Sequence, residues 1–297
     1  MMRRLAAVAV VVGLAGTMPV GAWGGGGHRL ILDRAIDLLP PELKSAFSAE
    51  RASLLAHASD PDLWRVAGFE EEAPRHFLDM DAYGPPPFDA LPRDLGAAVE
   101  TFGPETVNKN GLLPWRTAEM RGRLVRAFEA HKNGQRYGLG NAIYLAAVLA
   151  HYVADAHQPF HAVLNYDGQL TSQHGIHARF EDELPARFAS RLTYTPSAPR
   201  PVFETRDAMF DALTSGAGLV EGLLAADRRA SEGRTEYDDG YFEAFFGAAR
   251  PVLERRTSEA ITAVAGVILG AWEQAGRPGL GSPVPRPAQK IRGRGAR

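Results

Sequence analysis

Residues 141–156 read Asn-Ala-Ile-Tyr-Leu-Ala-Ala-Val-Leu-Ala-His-Tyr-Val-Ala-Asp-Ala. The run is apolar almost all round, so it predicts a central helix with no face for water. Its exceptions are His151 and Asp155, four residues apart and therefore on one helical face. For a lone surface pair, a simple hydrogen bond would suffice. Inside an apolar helix, burying a carboxylate without a partner is costly, and a bound cation accounts for the pair better.

The rest of the body also reads as helical. Residues 28–39 place Leu30, Ile31, Ala35, Ile36 and Leu39 on one face, and Pro40 ends the segment. Residues 84–92, Gly-Pro-Pro-Pro-Phe-Asp-Ala-Leu-Pro, can only be a loop. Helices are expected at 115–130, 176–188, 203–226 and 241–275, with Pro251 suited to the first turn of a last helix. Residues 191–203, with Pro196, Pro199 and Pro201, read as a connector that could also be a domain boundary. No strand pair or repeat stands out. The expectation is one all-α domain of many helices.

The chain has no cysteine. Residues 1–22 read as a signal peptide. Arg3 and Arg4 precede an apolar stretch too short to span a bilayer, and Val20 and Ala22 supply small residues for cleavage. Cleavage after Ala22 would make the protein secreted or periplasmic, with Trp23 at its N-terminus. No later stretch reads as a transmembrane segment. An exported chain without cysteine has no disulfides, so packing or bound metal must stabilise it. Thiolate zinc sites and a cysteine nucleophile are excluded. Residues 276–297 hold six basic residues and no acidic ones, and read as a disordered Gly/Pro-rich tail. The body, 23–275, is correspondingly acidic, which argues against a broad basic surface for nucleic acid. No obligate protein partner is evident.

The nine histidines are not scattered. Pro159 stops the central helix, and His161 lies just beyond it. His177 and Glu181 form a second pair four apart. Neutral imidazoles and carboxylates at these spacings suit zinc. Asp62, in Asp60-Pro61-Asp62-Leu63-Trp64-Arg65, and His76, in Pro74-Arg75-His76-Phe77-Leu78-Asp79, are further candidates. Taken separately, Asp60 also reads as a turn or cap residue and His76 as an ordinary surface histidine. A free N-terminus at Trp23 would place an amine and a carbonyl near His28. His57, His131, His157 and His174 fall outside this set. Of these, His157 and His174 are expected to support the ligands, being three or four residues from one.

In order, Trp23, His28, Asp62, His76, His151, Asp155, His161, His177 and Glu181 resemble the ligand pattern of one superfamily. It joins bacterial zinc-dependent phospholipases C with the single-strand-specific zinc nucleases of fungi and plants. The resemblance covers roughly residues 23–188 and implies an all-helical fold with three zinc ions. One ion would be held by Asp62, His76, His151 and Asp155. A second would be held by His161, His177 and Glu181. The third would take the amine and carbonyl of Trp23, with His28 and a bridging Asp155. It also implies hydrolysis of a phosphodiester by metal-activated water. Asp62 would orient or deprotonate the water, and Arg65 matches an arginine near the reacting phosphate in the nucleases.

The substrate marks conflict. The short Trp23–His28 spacing and Asp62-x-x-Arg65 look nuclease-like. Residues 28–37, Glu181 in place of aspartate and the short 161–177 loop look phospholipase-like. The glycines between Trp23 and His28 leave no acidic side chain there for a choline head group. Asp79 matches an aspartate that contacts the base in nucleases, but phospholipases keep it too. The expectation is therefore an exported zinc phosphodiesterase acting on a phospholipid or a single-stranded nucleic acid, leaning to a phospholipase C-like reaction. A single-strand-specific endonuclease or 3′-nucleotidase is the first alternative. A non-catalytic secreted protein with structural zinc is the second.

Overall fold

A computed structural model describes residues 25–281; the expected signal peptide, Trp23 and residues 282–297 lie outside them. Among the described residues there are helices and turns but no strand, as expected for an all-α chain. The N-terminal part comprises α1 (Gly25–Leu38), α2 (Pro41–Ala49), α3 (Arg51–Ala56) and α4 (Asp60–Val66). After a 3-10 turn at Glu70–Arg75 and a loop come α5 (Leu95–Phe102) and α6 (Pro104–Lys109). The long helices α7 (Leu113–Lys132) and α8 (Gly138–Asp155) form a hairpin. A 3-10 turn at Pro159–Ala162 leads to α9 (Ile176–Ala178), a π-helical turn at Arg179–Glu183 and α10 (Leu184–Phe188). Two further long helices, α11 (Thr205–Ser231) and α12 (Asp239–Gln274), complete the fold.

The apolar run does become the central helix. From Ala146 to Asp155 every side chain of α8 is buried, and α1, α3, α7 and α12 pack around it. Small residues make this possible: Ala142, Ala146, Ala147 and Ala150 let neighbouring helices approach closely. At the α7–α8 corner a side chain on Gly138 would put its Cβ 2.4 Å from the backbone nitrogen of His131, so only glycine fits.

Pro251 does not open a new helix. It lies inside the 36-residue α12, on its exposed side. Phe245, Phe246, Ala249 and Leu253 are buried on the other side and hold the helix through the proline, while the carbonyl that it leaves unbonded can face water. The proline-rich connector pairs with the last helix. Residues 192–204 run extended along α12. The backbone N–H groups of Thr193, Thr195 and Ser197 donate to side chains of Glu254 (2.8 Å), Ser258 (3.0 Å) and Thr262 (3.0 Å). Two extended residues advance roughly 6.6 Å and one i,i+4 step on a helix about 6 Å, so the two ladders stay in register. Farther on, Val202 N donates to the carbonyl of Gly266 at 3.0 Å.

Two boundary expectations also change. By length and composition α11 is apolar enough to cross a membrane, against the expectation that no stretch after residue 22 would be. In the fold its apolar stripe packs on α7, α12 and the 159–162 turn. Residues 276–281, expected to begin the tail, fold back on the body. Leu280 is buried, Trp272 Nε1 donates to the carbonyl of Pro278 at 2.9 Å, and His131 Nε2 donates to that of Gly279 at 3.1 Å.

Candidate metal centre

The C-terminal end of α8 is where the chain gathers its imidazoles and carboxylates. His151 and Asp155 share one face of its last turn. Gln158 accepts a hydrogen bond from Phe160 N and Pro159 opens the 3-10 turn, which brings His161 back beside Asp155. His76 ends the turn at Glu70–Arg75, and Leu78 N donates to the carbonyl of His161 at 2.9 Å, so the two segments are tied. His28 comes from α1 and Asp62 from the first turn of α4.

Asp155 divides this group. Its Oδ2 lies 3.0 Å from His76 Nδ1 and 3.3 Å from His151 Nε2, and those nitrogens are 3.1 Å apart. Asp62 Oδ1 lies farther off, 3.8 Å from His76 Nδ1 and 3.9 Å from His151 Nε2. Four ligands held about 2.0–2.1 Å from a tetrahedral ion would be roughly 3.3 Å from one another. These separations bracket that value. The other oxygen, Oδ1, faces His28 Nε2 at 3.4 Å and His161 Nδ1 at 3.6 Å. His28 also stacks on His151, with ring centroids 3.7 Å apart, and its Nδ1 is buried without a hydrogen-bond partner.

A second set adjoins the first. His161 Nε2 and His177 Nε2 are 3.2 Å apart, and Glu181 Oε2 lies 2.5 Å from the latter and 3.7 Å from the former. The π-helical turn that carries Glu181 is anchored from behind. Buried Arg179 donates to Asp227 Oδ1 at 3.0 Å and to Tyr241 Oη at 2.9 Å, which joins it to α11 and α12. Three groups could hold a metal ion: His76, His151 and Asp155; His28, Asp62 and His151, which shares His151 with the first; and His161, His177 and Glu181.

The protonation pattern fits a cation. His151 Nδ1 lies 3.0 Å from the carbonyl of Ala58 and must donate to it, so the lone pair of the neutral ring is on Nε2, directed at the oxygens. Such a convergence is repulsive unless a proton or a metal occupies it. Burial would lower the His151 pKa, but Asp155, its hydrogen bond and Asp62 raise it to about 9. His28 is driven down to about 3 by burial and then by His151. Burial also lowers His161. Despite burial, His151 and His161 hold Asp155 well below the usual carboxylate range, and His177 brings Glu181 down to about 2.

Apart from His151, these side chains line one cleft of about 620 Å³. Arg65 lines it, with Nη2 3.6 Å from Asp62 Oδ1, and so do Asp79, Lys109, Tyr166 and Asp167. Burial and then Asp81 push Asp79 up to about 7. A larger groove of about 1080 Å³ runs between residues 193–202 and α12, but no set of potential metal ligands converges there.

The described ligand candidates, His28, Asp62, His76, His151, Asp155, His161, His177 and Glu181, thus come together, and Arg65 and Asp79 reach the same cleft. Two supporting expectations fail. His157 Nδ1 turns away to the carbonyl of Val153 (2.7 Å), and the side chain of His174 is exposed. Other groups support the ligands instead. Buried Glu72 accepts from Tyr152 Oη and Arg75, and its Oε1 faces His76 Nε2 at 4.0 Å, too far for a hydrogen bond. Gln158 Nε2 donates to Glu181 Oε2 at 2.8 Å. Fully buried Arg256 donates to the carbonyls of His157 and Ala212 beyond the end of α8. Glu72 and His76 repeat the four-residue spacing of the other pairs, a signal hidden in the acidic run Glu70-Glu71-Glu72. Comparison with models of known protein families and with curated proteins found no match.

Proposed function

We propose that this chain is an exported zinc-dependent phosphodiesterase of the phospholipase C and zinc nuclease type. The observation that carries this reading is Asp155, whose two oxygens face different sets of ligand atoms at the base of one cleft. In this reading Asp62, His76, His151 and Asp155 hold one ion, and His161, His177 and Glu181 hold a second. His28 holds a third with the amine and carbonyl of Trp23. Zinc supplies concentrated positive charge and an acidified water near neutral pH.

The remaining roles belong to the side chains. Asp62 is the most exposed of the ligand carboxylates, at 31% against 3% for Asp155 and 12% for Glu181, so it stands where it can take a proton from water. Arg65 offers its guanidinium to phosphate oxygens at the mouth. The second set has only three protein ligands, which favours catalysis over a closed structural site. A single-strand-specific nuclease is the second reading, favoured by Tyr166 and Asp79 in the cleft, where one could stack on a base and the other bond its edge.

The test measures zinc per chain and turnover of bis-p-nitrophenyl phosphate on one sample beginning at Trp23. About three ions with chelator-sensitive hydrolysis are expected. Bound zinc without turnover on this diester, on phospholipid or on single-stranded DNA would replace the enzyme with a structural role. Absence of bound metal would refute both.

A further inference from the structure

Arg179 stands midway between His177 and Glu181 in the chain, yet neither it nor its partner Asp227 lines the cleft. The two side chains are 5% and 1% exposed, out of reach of substrate. The guanidinium of Arg179 makes four hydrogen bonds. Nε donates to Tyr241 Oη (2.9 Å) and Nη1 to the carbonyl of His174 (2.8 Å). Nη2 donates to the carbonyl of Gln173 (3.2 Å) and to Asp227 Oδ1 (3.0 Å). Asp227 accepts in turn from the hydroxyl of Tyr241 and from Gln173 Nε2, the latter at 2.6 Å. Tyr237 covers the guanidinium, whose central carbon lies 4.0 Å from the ring centroid.

A buried ion pair is weak evidence of stabilisation, because the cost of desolvating both charges offsets most of their attraction. What this pair supplies is geometry. A guanidinium is planar and its donors point in fixed directions, so four bonds leave Arg179 little freedom. The same bonds draw the carbonyls of Gln173 and His174, which precede His177, onto the side chain of a residue that follows it. Gly175 permits that approach: its φ is +82°, and a Cβ there would lie 3.0 Å from Arg179 Nη1. Residues 179–183 form a π turn, a conformation that is rare and concentrated at functional sites. Asp227 belongs to α11 and Tyr241 to α12, so the two helices beyond the last ligand hold the segment that carries His177 and Glu181. The ligands of the first set come instead from α4, the turn at Glu70–Arg75 and α8.

The geometry points to Asp227, acting through Arg179 and assisted by Tyr241, as the positioning residue for an ion held by His161, His177 and Glu181. This rests on the reading that those three side chains hold an ion, and on nothing about the reaction.

The experiment is a zinc competition with a chromophoric chelator on protein beginning at Trp23. It compares the wild type, His177→Ala, Asp227→Asn and the variant carrying both changes. His177→Ala identifies the ion of this set as the one that it loses. Asp227→Asn keeps the shape and removes the charge. It should weaken that same ion by about tenfold or more and leave the others at wild-type affinity. Added to His177→Ala, it should cost no further zinc affinity, because its effect runs through a set already broken. Tyr241→Phe keeps the ion pair and should weaken the same ion by about threefold. Equal weakening of every ion would make the network a fold element only and overturn the assignment. So would unchanged affinity in Asp227→Asn or, where that variant does not fold, in Tyr241→Phe. If His177→Ala loses no ion, the metal reading of this set fails instead.

Discussion

Replacing Asp79 with asparagine should change how stability depends on pH. Asp79 is 8% exposed, and among the described residues no cation pairs with it. Burial, and then Asp81, raise its pKa from 3.8 to about 7. The folded state thus keeps its proton to about pH 7, whereas the unfolded chain releases it near pH 4. Between those values the folded state binds more protons, so this group makes the protein less stable as pH rises. The full penalty is on the order of 4 kcal/mol, from about three units at roughly 1.4 kcal/mol each. Part of it is already present at pH 5, which leaves about 2–3 kcal/mol to develop between pH 5 and pH 8. Asparagine cannot ionise and removes that part. Urea unfolding of both proteins in metal-free form at pH 5, 6, 7 and 8 isolates it, since any fixed cost of the amide is the same throughout. The stability difference, variant minus wild type, should climb by that amount toward pH 8. A constant difference would mean that Asp79 is already solvated or paired.

Four further outcomes are expected. Glu72→Gln removes the charge beside His76 and should weaken zinc binding about tenfold in a chelator competition; unchanged affinity would make Glu72 a packing residue only. Arg256→Met removes the side-chain donor to the carbonyls of His157 and Ala212 and should cost about 1–3 kcal/mol in urea unfolding. Gly270→Ala would place a Cβ 2.2 Å from the carbonyl oxygen of Val202, so it should lift residues 192–204 from α12 at a cost of about 1–3 kcal/mol, read by the same assay. Protein retaining residues before Trp23 should carry one zinc fewer than protein beginning there, and equal content would refute the N-terminal ligand.

What could be read in the sequence was whatever one turn of helix fixes. His151 with Asp155 and His177 with Glu181 were legible because four residues return a side chain to the same face. The buried character of α8 was legible because nearly every side of it is apolar. The connector 191–203 was recognised as non-helical from its prolines, but not that it runs along α12. That pairing depends on Glu254, Ser258, Thr262 and Gly266, whose four-residue rhythm has meaning only once an extended segment lies beside it. Pro251 misled because local propensity argues for a helix start, whereas packing on both sides of it decides. Glu72 and Arg256 were missed for a related reason. A charged residue in sequence looks solvated, and only the fold shows that one lies near His76 and the other beyond the end of the central helix.

The position of that helix end helps explain why the cluster could hold a cation. Asp155 closes α8, where the last backbone carbonyls carry partial negative charge. Buried carboxylates are added to it there, so the local field is negative before any ion binds. Arg256 answers part of this from the far side, through the carbonyls of Ala156 and His157, but it belongs to α12 and does not reach Asp155. The cluster must draw its remaining positive charge from protons on imidazole or from metal. Protons satisfy His151 at the expense of His28 and His161, which burial and neighbouring charge keep neutral. A divalent ion satisfies the oxygens and leaves every ring neutral, and so meets the demands of all the ligands at once.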